Sequence, residues 1–386
     1  MNKNTFSLIG LDKNFNMVSL IKYSNLQWRR KYLEAGTFAI EIPIDQYNED
    51  FRYIYNKDRP ELGVITQVNY KVNNNGYRYI YLSGRFLESL LNRHVVYPKS
   101  SSNNVTNDPG FTSVKASVED VAFRFFNGFK RVTTSDHVSD LDMVAGENLK
   151  RGKEVTVERA EATYLGDTLY NILSLDDMSL RVEYDFVDNT RTFTVWKGRD
   201  LTQDNEDGNN PVIFSTIYGN CKNPDVLVSK DSYRNASVLV NDVTIKVEGS
   251  GKTESVQQTH TRLIWNRTED EGDLDDRFTI YKPGLNLNDF KNSAQDLNGD
   301  VNKLITAMME QGKNDLSVNY PTTINVDFTA VPGSYVYMED FDLGDLCSVE
   351  VPEIGLSADA RLIGCYEVMK AGTWTLTLEF GTPVLI

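Results

Sequence analysis

The stretch LQWRRKYLEAGTFAIEIPI, Leu26 to Ile44, alternates apolar and polar residues along most of its length. Trp28 and Tyr32 both occupy even-numbered positions before Gly36. The apolar residues from Phe38 to Ile44 continue this alternation after it. A period of two is typical of a strand with one buried face. The stretch therefore predicts β-strands.

Similar short runs surround this stretch. They are rich in Val, Ile, Tyr and Phe and are divided by turn formers such as those at Asn73–Gly76: Phe6 to Leu8, Val18 to Ile21, Val64 to Tyr70 and Tyr77 to Tyr81. The apolar spacing in RFLESLLNR, Arg85 to Arg93, predicts a short helix that closes the segment. The pattern is typical of a barrel or a sandwich.

A different pattern begins at KSSSNNVTNDPG, Lys99 to Gly110, a polar stretch rich in helix and strand breakers. Ser117 and Asp120 resemble a helix start before the apolar repeat that ends at Phe129. A second helix is predicted at about Thr163 to Asp176, and a hairpin at Ser179 to Leu201. Residues 99–205 therefore predict an inserted α+β domain.

Strands resume at Val212 to Phe214 and continue to about residue 268. A polar helix is predicted in 284–313, where Met308 and Met309 are interpreted as core filler. Strands follow to the C-terminus, including one at Val336 and Tyr337. The predicted division is 1–98 for the first part of a tube-like barrel, 99–205 for the insertion, 206–268 for strands that complete this barrel, and 269–386 for a helix and a second tube-like barrel.

The segment GSGKT, Gly249 to Thr253, resembles the end of a phosphate-binding loop. The complete motif needs a glycine five positions before Gly251, where this chain has Lys246, and an apolar helix after it. ESVQQTHTR, Glu254 to Arg262, is almost without apolar residues. We therefore predict a hairpin tip and no nucleotide site.

The composition is that of a folded protein: 386 residues, 40% of them hydrophobic and 25% charged, with a formal net charge of −15. No apolar run is long enough for a membrane anchor or a signal peptide, so we expect the chain to stay in the cytoplasm in which it is made. The three cysteines, Cys221, Cys347 and Cys365, are widely spaced and are interpreted as small buried hydrophobic residues.

Two short basic clusters, Arg29–Lys31 and Lys150–Lys153, are interpreted as solvated faces rather than as a nucleic-acid surface. A negative net charge suits a surface along which DNA passes without binding.

No catalytic constellation is apparent, and neither a metal nor a cofactor is predicted. DLNGD, Asp296 to Asp300, lacks the glycine and glutamate that an EF-hand loop requires. The acidic run Thr268 to Arg277 has no second carboxylate cluster opposite it. The 20 tyrosines and 18 phenylalanines mostly occupy alternate strand positions, where packing is the expected role.

Several segments, taken in order, resemble the phage tail hub proteins of the siphovirus tail-associated family. They are LQWRRKYLEAGTFAIEIPI, GVITQV, YLSGRFLESLLNRHVV, TLYNILSLDD, WKGRDLT, VIFSTIYGNCKN and SYRNASVLV, and finally DLGDLCSVEVPEIGLSADARLIGCYEVMKAGTWTLTLEFGTP. The resemblance spans nearly the whole chain.

The resemblance implies a structural hub of a tail baseplate or tip in a virion or phage-like particle, assembled in the bacterial host cytoplasm. Three chains, with two tube domains each, would form a pseudo-sixfold ring. The ring would join the hexameric tail tube, or a distal tail protein, to a threefold spike or tail-fibre protein. A tape measure protein is a further possible partner, and DNA is only passing cargo.

The resemblance also implies structural and assembly roles for seven residues. Trp28, Gly36 and Phe38 would anchor the first barrel, Gly344 and Asp345 would form the turn of the last, and Arg361 and Trp374 would lie on its strands. Two alternatives stay open. A cell-wall hydrolase would need a pocket with convergent carboxylates of shifted pKa, and a receptor-binding tail component would need an exposed aromatic patch.

Overall fold

A computed structural model describes residues 6–99, 107–134, 136–159, 162–228 and 324–384, together with the backbone of five strands between 237 and 283. Contacts divide the chain into two units. The first comprises residues 1–225 and 326–386, and the second comprises residues 226–325.

The N-terminal part of the first unit consists of short strands, as their alternating apolar residues predict. Its strands are β1 (Leu8–Leu11), β2 (Met17–Ile21), β3 (Asn25–Lys31), β4 (Thr37–Pro43), β5 (Tyr53–Asn56), β6 (Leu62–Val72) and β7 (Arg78–Phe86). Short 3-10 helices occupy Ile44–Gln46 and Leu87–Arg93. The short helix predicted at Arg85 to Arg93 is thus confirmed, with its first two residues in β7.

A middle segment carries both helices and most of the small strand pairs. The helices are α1 (Val118–Phe129) and α2 (Leu165–Ser174). The strands are β8 (Val95–Val96), β9 (Ser113–Ser117), β10 (Arg131–Thr133), β11 (Val138–Asp140), β12 (Val144–Ala145), β13 (Glu154–Glu158), β14 (Thr163–Tyr164), β15 (Ser179–Asp185) and β16 (Thr190–Trp196). Ser117 caps α1 by accepting a hydrogen bond from the Asp120 amide, as its sequence predicts.

The remaining strands are β17 (Asp200–Leu201), β18 (Ile213–Ser215), β19 (Cys221–Val228), β20 (Ser237–Asn241), β21 (Val243–Gly249), β22 (Lys252–Gln258), β23 (Arg262–Trp265), β24 (Thr279–Pro283), β25 (Ile324–Ala330), β26 (Leu346–Val351), β27 (Leu356–Lys370) and β28 (Thr373–Val384). A 3-10 helix at Pro352–Ile354 joins β26 to β27.

One large sheet of 14 strands organises the first unit. Its main path is β19-β25-β28-β27-β3-β4-β7-β6-β5-β1-β2, while β26 pairs with β17, β18 and β27 beside this path. The antiparallel pair of β3 and β27, from Lys31 opposite Gly364 to Asn25 opposite Lys370, unites the N-terminal and C-terminal strands. The prediction of a mainly β protein is confirmed, and the strands lie largely in one antiparallel sheet.

No pairing among the described strands closes this path into a barrel, since β2 and β19 lie at its two ends. The two tubes therefore remain a prediction. Strands assigned from sequence to different tubes share one sheet here, because the alternating pattern of a strand identifies its buried face but not its neighbours.

Several apolar clusters form cores among the described residues of this unit, and two of them surround the features discussed below. One contains the helices, with Phe126 stacked on Phe193 at 4.2 Å, and reaches Leu62 and Val64 of β6. The other lies among β1 to β7 and is centred on Trp28. Cys221, Cys347 and Cys365 are free and buried, as predicted.

The second unit contains a three-stranded sheet, β23-β20-β24, and the hairpin of β21 and β22. Gly249 pairs with Lys252 at the end of that hairpin, so the two strands predicted around GSGKT do pair. The predicted helix within 284–313, the DLNGD segment and the acidic run at 268–277 lie outside the described residues.

Two local predictions need correction. The strand at Val336 and Tyr337 was wrong: this segment turns, with the Val336 amide donating to Asp340 Oδ2 at 2.6 Å and Met338 at a φ of 64°. The Asp340 carboxylate thus satisfies a backbone amide that a strand would have paired with a neighbour. The second correction is an omission: no strand was predicted at β5. This strand has only 4 residues, and so short a run gives little periodicity.

Candidate functional site

A buried guanidinium lies at the centre of the first unit. Arg30 is 1% exposed and lies on β3 with the same parity as Leu26 and Trp28, so it faces the interior with them. Its Nε donates to Glu61 Oε1 at 2.6 Å. Its Nη1 donates to the Tyr337 hydroxyl at 2.8 Å and to Asp342 Oδ1 at 2.6 Å.

A second buried arginine lies close by. Arg59 Nε donates to Glu367 Oε1 at 2.8 Å, its Nη2 donates to the other oxygen of the same carboxylate, and both side chains are fully buried. The Trp374 indole donates to Glu367 Oε2 at 3.1 Å. The Tyr337 ring lies 5.9 Å from each guanidinium carbon. We call Arg30, Arg59, Glu61, Tyr337, Asp342 and Glu367 the charged junction.

The charged junction holds its charges against a large desolvation cost. Burial opposes the positive charge of Arg30, but Glu61, Tyr337 and Asp342 outweigh burial and raise the pKa of Arg30 well above its ordinary value. Burial likewise opposes the charge of Arg59, and its hydrogen bonds to Glu367 raise the pKa of that guanidinium. Bidentate arginine–carboxylate pairs of this kind have a fixed geometry, so the junction specifies how its strands lie relative to one another.

The interpretation of the basic clusters as solvated faces was wrong for Arg30, while Lys31 and Arg151 are partly exposed residues that also form ion pairs. Arg30 is buried, and Lys31 Nζ donates to both oxygens of Glu379, at 2.7 and 2.6 Å. Arg151 forms a bidentate pair with Glu119, which is fully buried. A charged residue on the inner face of a strand cannot be told from a surface residue by composition alone. The signal that could have identified Arg30 as buried was its position, two residues from Trp28 on the same face of the strand.

Three of the predicted assembly residues meet at one turn. Gly344 has a φ of +85°, and its carbonyl accepts from Arg361 Nη1 at 2.6 Å. The Asp345 carboxylate accepts from the backbone amide of Arg199 at 2.8 Å and from Arg199 Nη2 at 2.7 Å. The GD turn and the WKGRDLT segment, which are far apart in sequence, thus form one structure.

The other four predicted residues belong to the core around β3. Trp28 is fully buried, with its ring centroid 4.7 Å from that of Phe86 and 5.8 Å from that of Phe38. Trp374 packs against the same cluster. Gly36 is required by space, because a Cβ there would lie 2.3 Å from the Arg29 carbonyl oxygen. All four have packing roles within the chain, and their roles in assembly stay predictions.

Two cavities among the described residues are small. One of about 210 Å³ lies between the 3-10 helix Leu87–Arg93 and α2, with Glu88 and Asp167 in its lining. Typical small-molecule pockets occupy about 300–1,000 Å³. Among the described residues, no group of three His, Cys, Asp or Glu side chains could hold a metal ion. Neither described helix is long and apolar enough to span a membrane.

A hairpin projects from the body of the sheet. In β6, every residue from Thr66 to Val72 is exposed, on both faces of the strand. β5 pairs with β6 only as far as Val64, so beyond a bulge at Ile65–Gln67 the described structure gives β6 no partner except β7. We call residues 66–79 the projecting hairpin; Ile80 and Leu82, which follow it, are buried and pair with β4.

The chemistry of the projecting hairpin differs from that of the rest of the chain. Val68, Tyr70 and Val72 are about half exposed on one face, and Tyr77 and Tyr79 stack on the other with ring centroids 6.3 Å apart. Between Leu62 and Leu87 there is no acidic residue, although the chain has a net charge of −15. Lys71, Arg78 and Arg85 are all exposed.

Comparison with known proteins identifies the class to which this chain belongs. A sequence model described as "Siphovirus ReqiPepy6 Gp37-like protein" matches residues 9–382. The chain therefore belongs to this family of siphovirus tail proteins, and the predicted membership in a phage tail family is confirmed. No curated protein sequence matches the chain.

One solved structure with a TM-score above 0.5 shares the fold, and two others are similar at lower scores. The 43 kDa tail protein of prophage MuSo2 from Shewanella oneidensis aligns with a TM-score of 0.52 at 8% identity, over 97% of each chain. The tail protein from Neisseria meningitidis MC58 aligns with a TM-score of 0.49 at 14% identity, over 98% of this chain and 95% of that one. Prophage tail protein gp18 from Listeria monocytogenes EGD-e aligns with a TM-score of 0.45 at 9% identity, over 97% and 94%.

Replacing Arg30 by methionine is expected to destabilise the protein by about 3–5 kcal/mol, because the buried Glu61 carboxylate would lose its cation. Arg29→Met is the matched control. The Arg29 side chain is 47% exposed and pairs with Glu379, so we expect a loss of stability below about 1 kcal/mol. Urea unfolding followed by circular dichroism measures both. Equal losses for the two variants would contradict the role assigned to Arg30.

Replacing Gly344 by alanine is expected to cost several kcal/mol, because its Cβ would lie 2.5 Å from the Tyr32 ring. Gly355→Ala separates this crowding from backbone strain: Gly355 also has a positive φ, 67°, with nothing within 4 Å of its Cβ position. We expect Gly355→Ala to cost about 1–2 kcal/mol. If the two variants have the same thermal midpoint, crowding at Gly344 is not significant.

Proposed function

We propose that this tail protein is the structural hub of a phage tail tip or baseplate. Three copies would form a ring that joins the tail tube or a distal tail protein to a spike or tail-fibre protein. The family match over residues 9–382 carries the proposal, because it places the chain among siphovirus tail proteins along nearly its whole length.

The projecting hairpin supports assembly from several copies. Its edge from Thr66 to Val72 carries backbone donors and acceptors beside exposed apolar side chains. Such edges pair readily with another chain. Because the hairpin is basic while the whole chain is acidic, a second copy of the chain offers it a surface of opposite charge.

A role without catalysis fits the small cavities and the net charge. The described cavity beside Glu88 and Asp167, about 210 Å³, is smaller than a typical ligand pocket. A net charge of −15 would repel DNA phosphates from the wall of a channel. We therefore infer that the chain shapes a passage and that DNA is its cargo rather than its ligand.

Receptor binding is the second candidate function. The observation that favours it is the exposed tyrosine face of the projecting hairpin, at Tyr70 and Tyr77, since most other aromatic rings of the described residues are buried. The two functions make opposite demands on this hairpin: assembly would cover it, whereas receptor binding would leave it accessible.

The mass of the purified chain, measured by light scattering, tests the hub directly, together with an image along the symmetry axis. We expect a ring of three copies. The double variant Lys71→Glu/Arg78→Glu is expected to shift the mass toward a single copy, because it places like charges at the proposed contact.

Lys57→Glu/Lys222→Glu, which reverses two exposed lysines outside the hairpin, is the control and is expected to keep the mass of the trimer. A trimer that survives the hairpin reversal would favour the receptor-binding function for this surface. A single copy at all concentrations of the unaltered chain would contradict the hub.

A further inference from the structure

A cavity of about 20 Å³ lies beside the charged junction. Distant parts of the sequence line it: the end of β3 and the loop after it, the turn before β6, the end of β7 and the 3-10 helix that follows it, α2, the hairpin of β15 and β16, and Leu343. A space of about 10–15 Å³ or more, measured in this way, accommodates one water molecule. The size therefore suits one water and excludes larger ligands.

Four residues that line this cavity each carry a buried polar atom without a hydrogen-bond partner among the described residues: Glu61 Oε2, Glu88 Oε2, Arg181 Nε and Trp196 Nε1. Glu61 is 8% exposed and Glu88 is 6% exposed. Burying such atoms without a partner costs about 1–3 kcal/mol each. A single protein rarely concentrates this cost in one place without a bound group.

Their chemistry matches one water molecule. Two of the atoms are carboxylate oxygens, which accept hydrogen bonds, and two are N–H groups, which donate them. Water has two hydrogens to donate and two lone pairs to accept with, so one molecule at the centre could satisfy all four. A cation would be repelled by the N–H groups, and an anion by the carboxylates.

We propose that the cavity is a binding site for one structural water, which receives hydrogen bonds from Arg181 and Trp196 and donates to Glu61 and Glu88. The water links the hairpin of β15 and β16 to the charged junction. It extends the network of Arg30 and Glu61 into the segment that carries the helices.

The protonation of Glu88 affects this arrangement. Burial, with a contribution from Glu61, raises the pKa of Glu88 to about 7. Glu88 Oε1 already accepts from the Val182 amide at 3.1 Å, so a proton on the side chain would lie on Oε2. That oxygen would then donate, and the site would contain three donors and one acceptor. The match to water is therefore best above neutral pH.

Other charged or titratable groups also face Glu88. They come from β3, the loop after it, the turn before β6, α2 and β15: Arg30, Lys31, Glu34, Glu61, Tyr170 and Arg181. A comparison of single variants across pH would mix their titration with that of Glu88. A double-mutant cycle subtracts effects that do not depend on the pair.

The test is a cycle of Glu88→Gln and Trp196→Phe in the full chain, followed by urea unfolding with circular dichroism at pH 8.5 and pH 5.5. If both residues bind the same water, either substitution alone already weakens its binding. The second substitution then costs less stability than it does in the unaltered chain. We expect the midpoint of the double variant at pH 8.5 to exceed the additive value by at least about 0.2 M urea. At pH 5.5, where Glu88 is neutral and resembles glutamine, we expect the excess to shrink.

The matched control is the cycle of Glu34→Gln and Trp196→Phe. Glu34 lines the same cavity but its side chain is exposed, so this pair is expected to be additive at both pH values. Additive midpoints for Glu88 and Trp196 at pH 8.5 would overturn the proposal.

A high-resolution crystal structure of the unaltered chain provides a second test that does not depend on whether the variants fold. One density peak within about 2.7–3.2 Å of at least three of the four atoms would support the site. Direct pairing of the four side chains with one another, with no peak among them, would overturn it.

Discussion

The structure depends on keeping the charge of Arg30 inside the protein. A buried charge is tolerated only when partners surround it with good geometry, and the partners of Arg30 come from distant parts of the chain. Glu61 lies 31 positions away, and Tyr337 and Asp342 lie more than 300 positions away. The first and last segments must therefore meet before all the hydrogen bonds of this guanidinium form. Folding of either segment alone would leave an arginine or a carboxylate buried without its counter-ion.

The β3–β27 pair and the Gly344 turn follow from this constraint. Arg30 lies on β3, and Asp342, one of its partners, is two residues before Gly344. The Gly344 turn also accepts hydrogen bonds from Arg199 and Arg361. These bonds connect the segment after the β15–β16 hairpin to β27. The charged side chains thus help to set how the strands lie relative to one another, while the apolar burial comes from the core around Trp28 and from the larger core around the helices.

The local elements of the fold could be predicted from the sequence, whereas the contacts between distant segments could not. The strands at Leu26 to Ile44, the cap at Ser117 and the hairpin at Ser179 to Leu201 are local, and local patterns determine them. Gly344 was placed in a turn from the sequence, and the structure gives it a positive φ there, while its role in assembly stays a prediction. The partners of Arg30 were missed, because ion pairs between residues 300 positions apart have no sequence periodicity. The projecting hairpin was predicted as two strands, but its exposure on both faces depends on where β5 ends.

Native-state hydrogen exchange of β3 and β27 tests the central claim most directly. If the charged junction makes the first and last segments one cooperative unit, the amides of both strands exchange only through the same opening, with equal free energies and the same dependence on denaturant. Exchange of β27 through a separate opening of lower free energy, while β3 stays protected, would contradict the account.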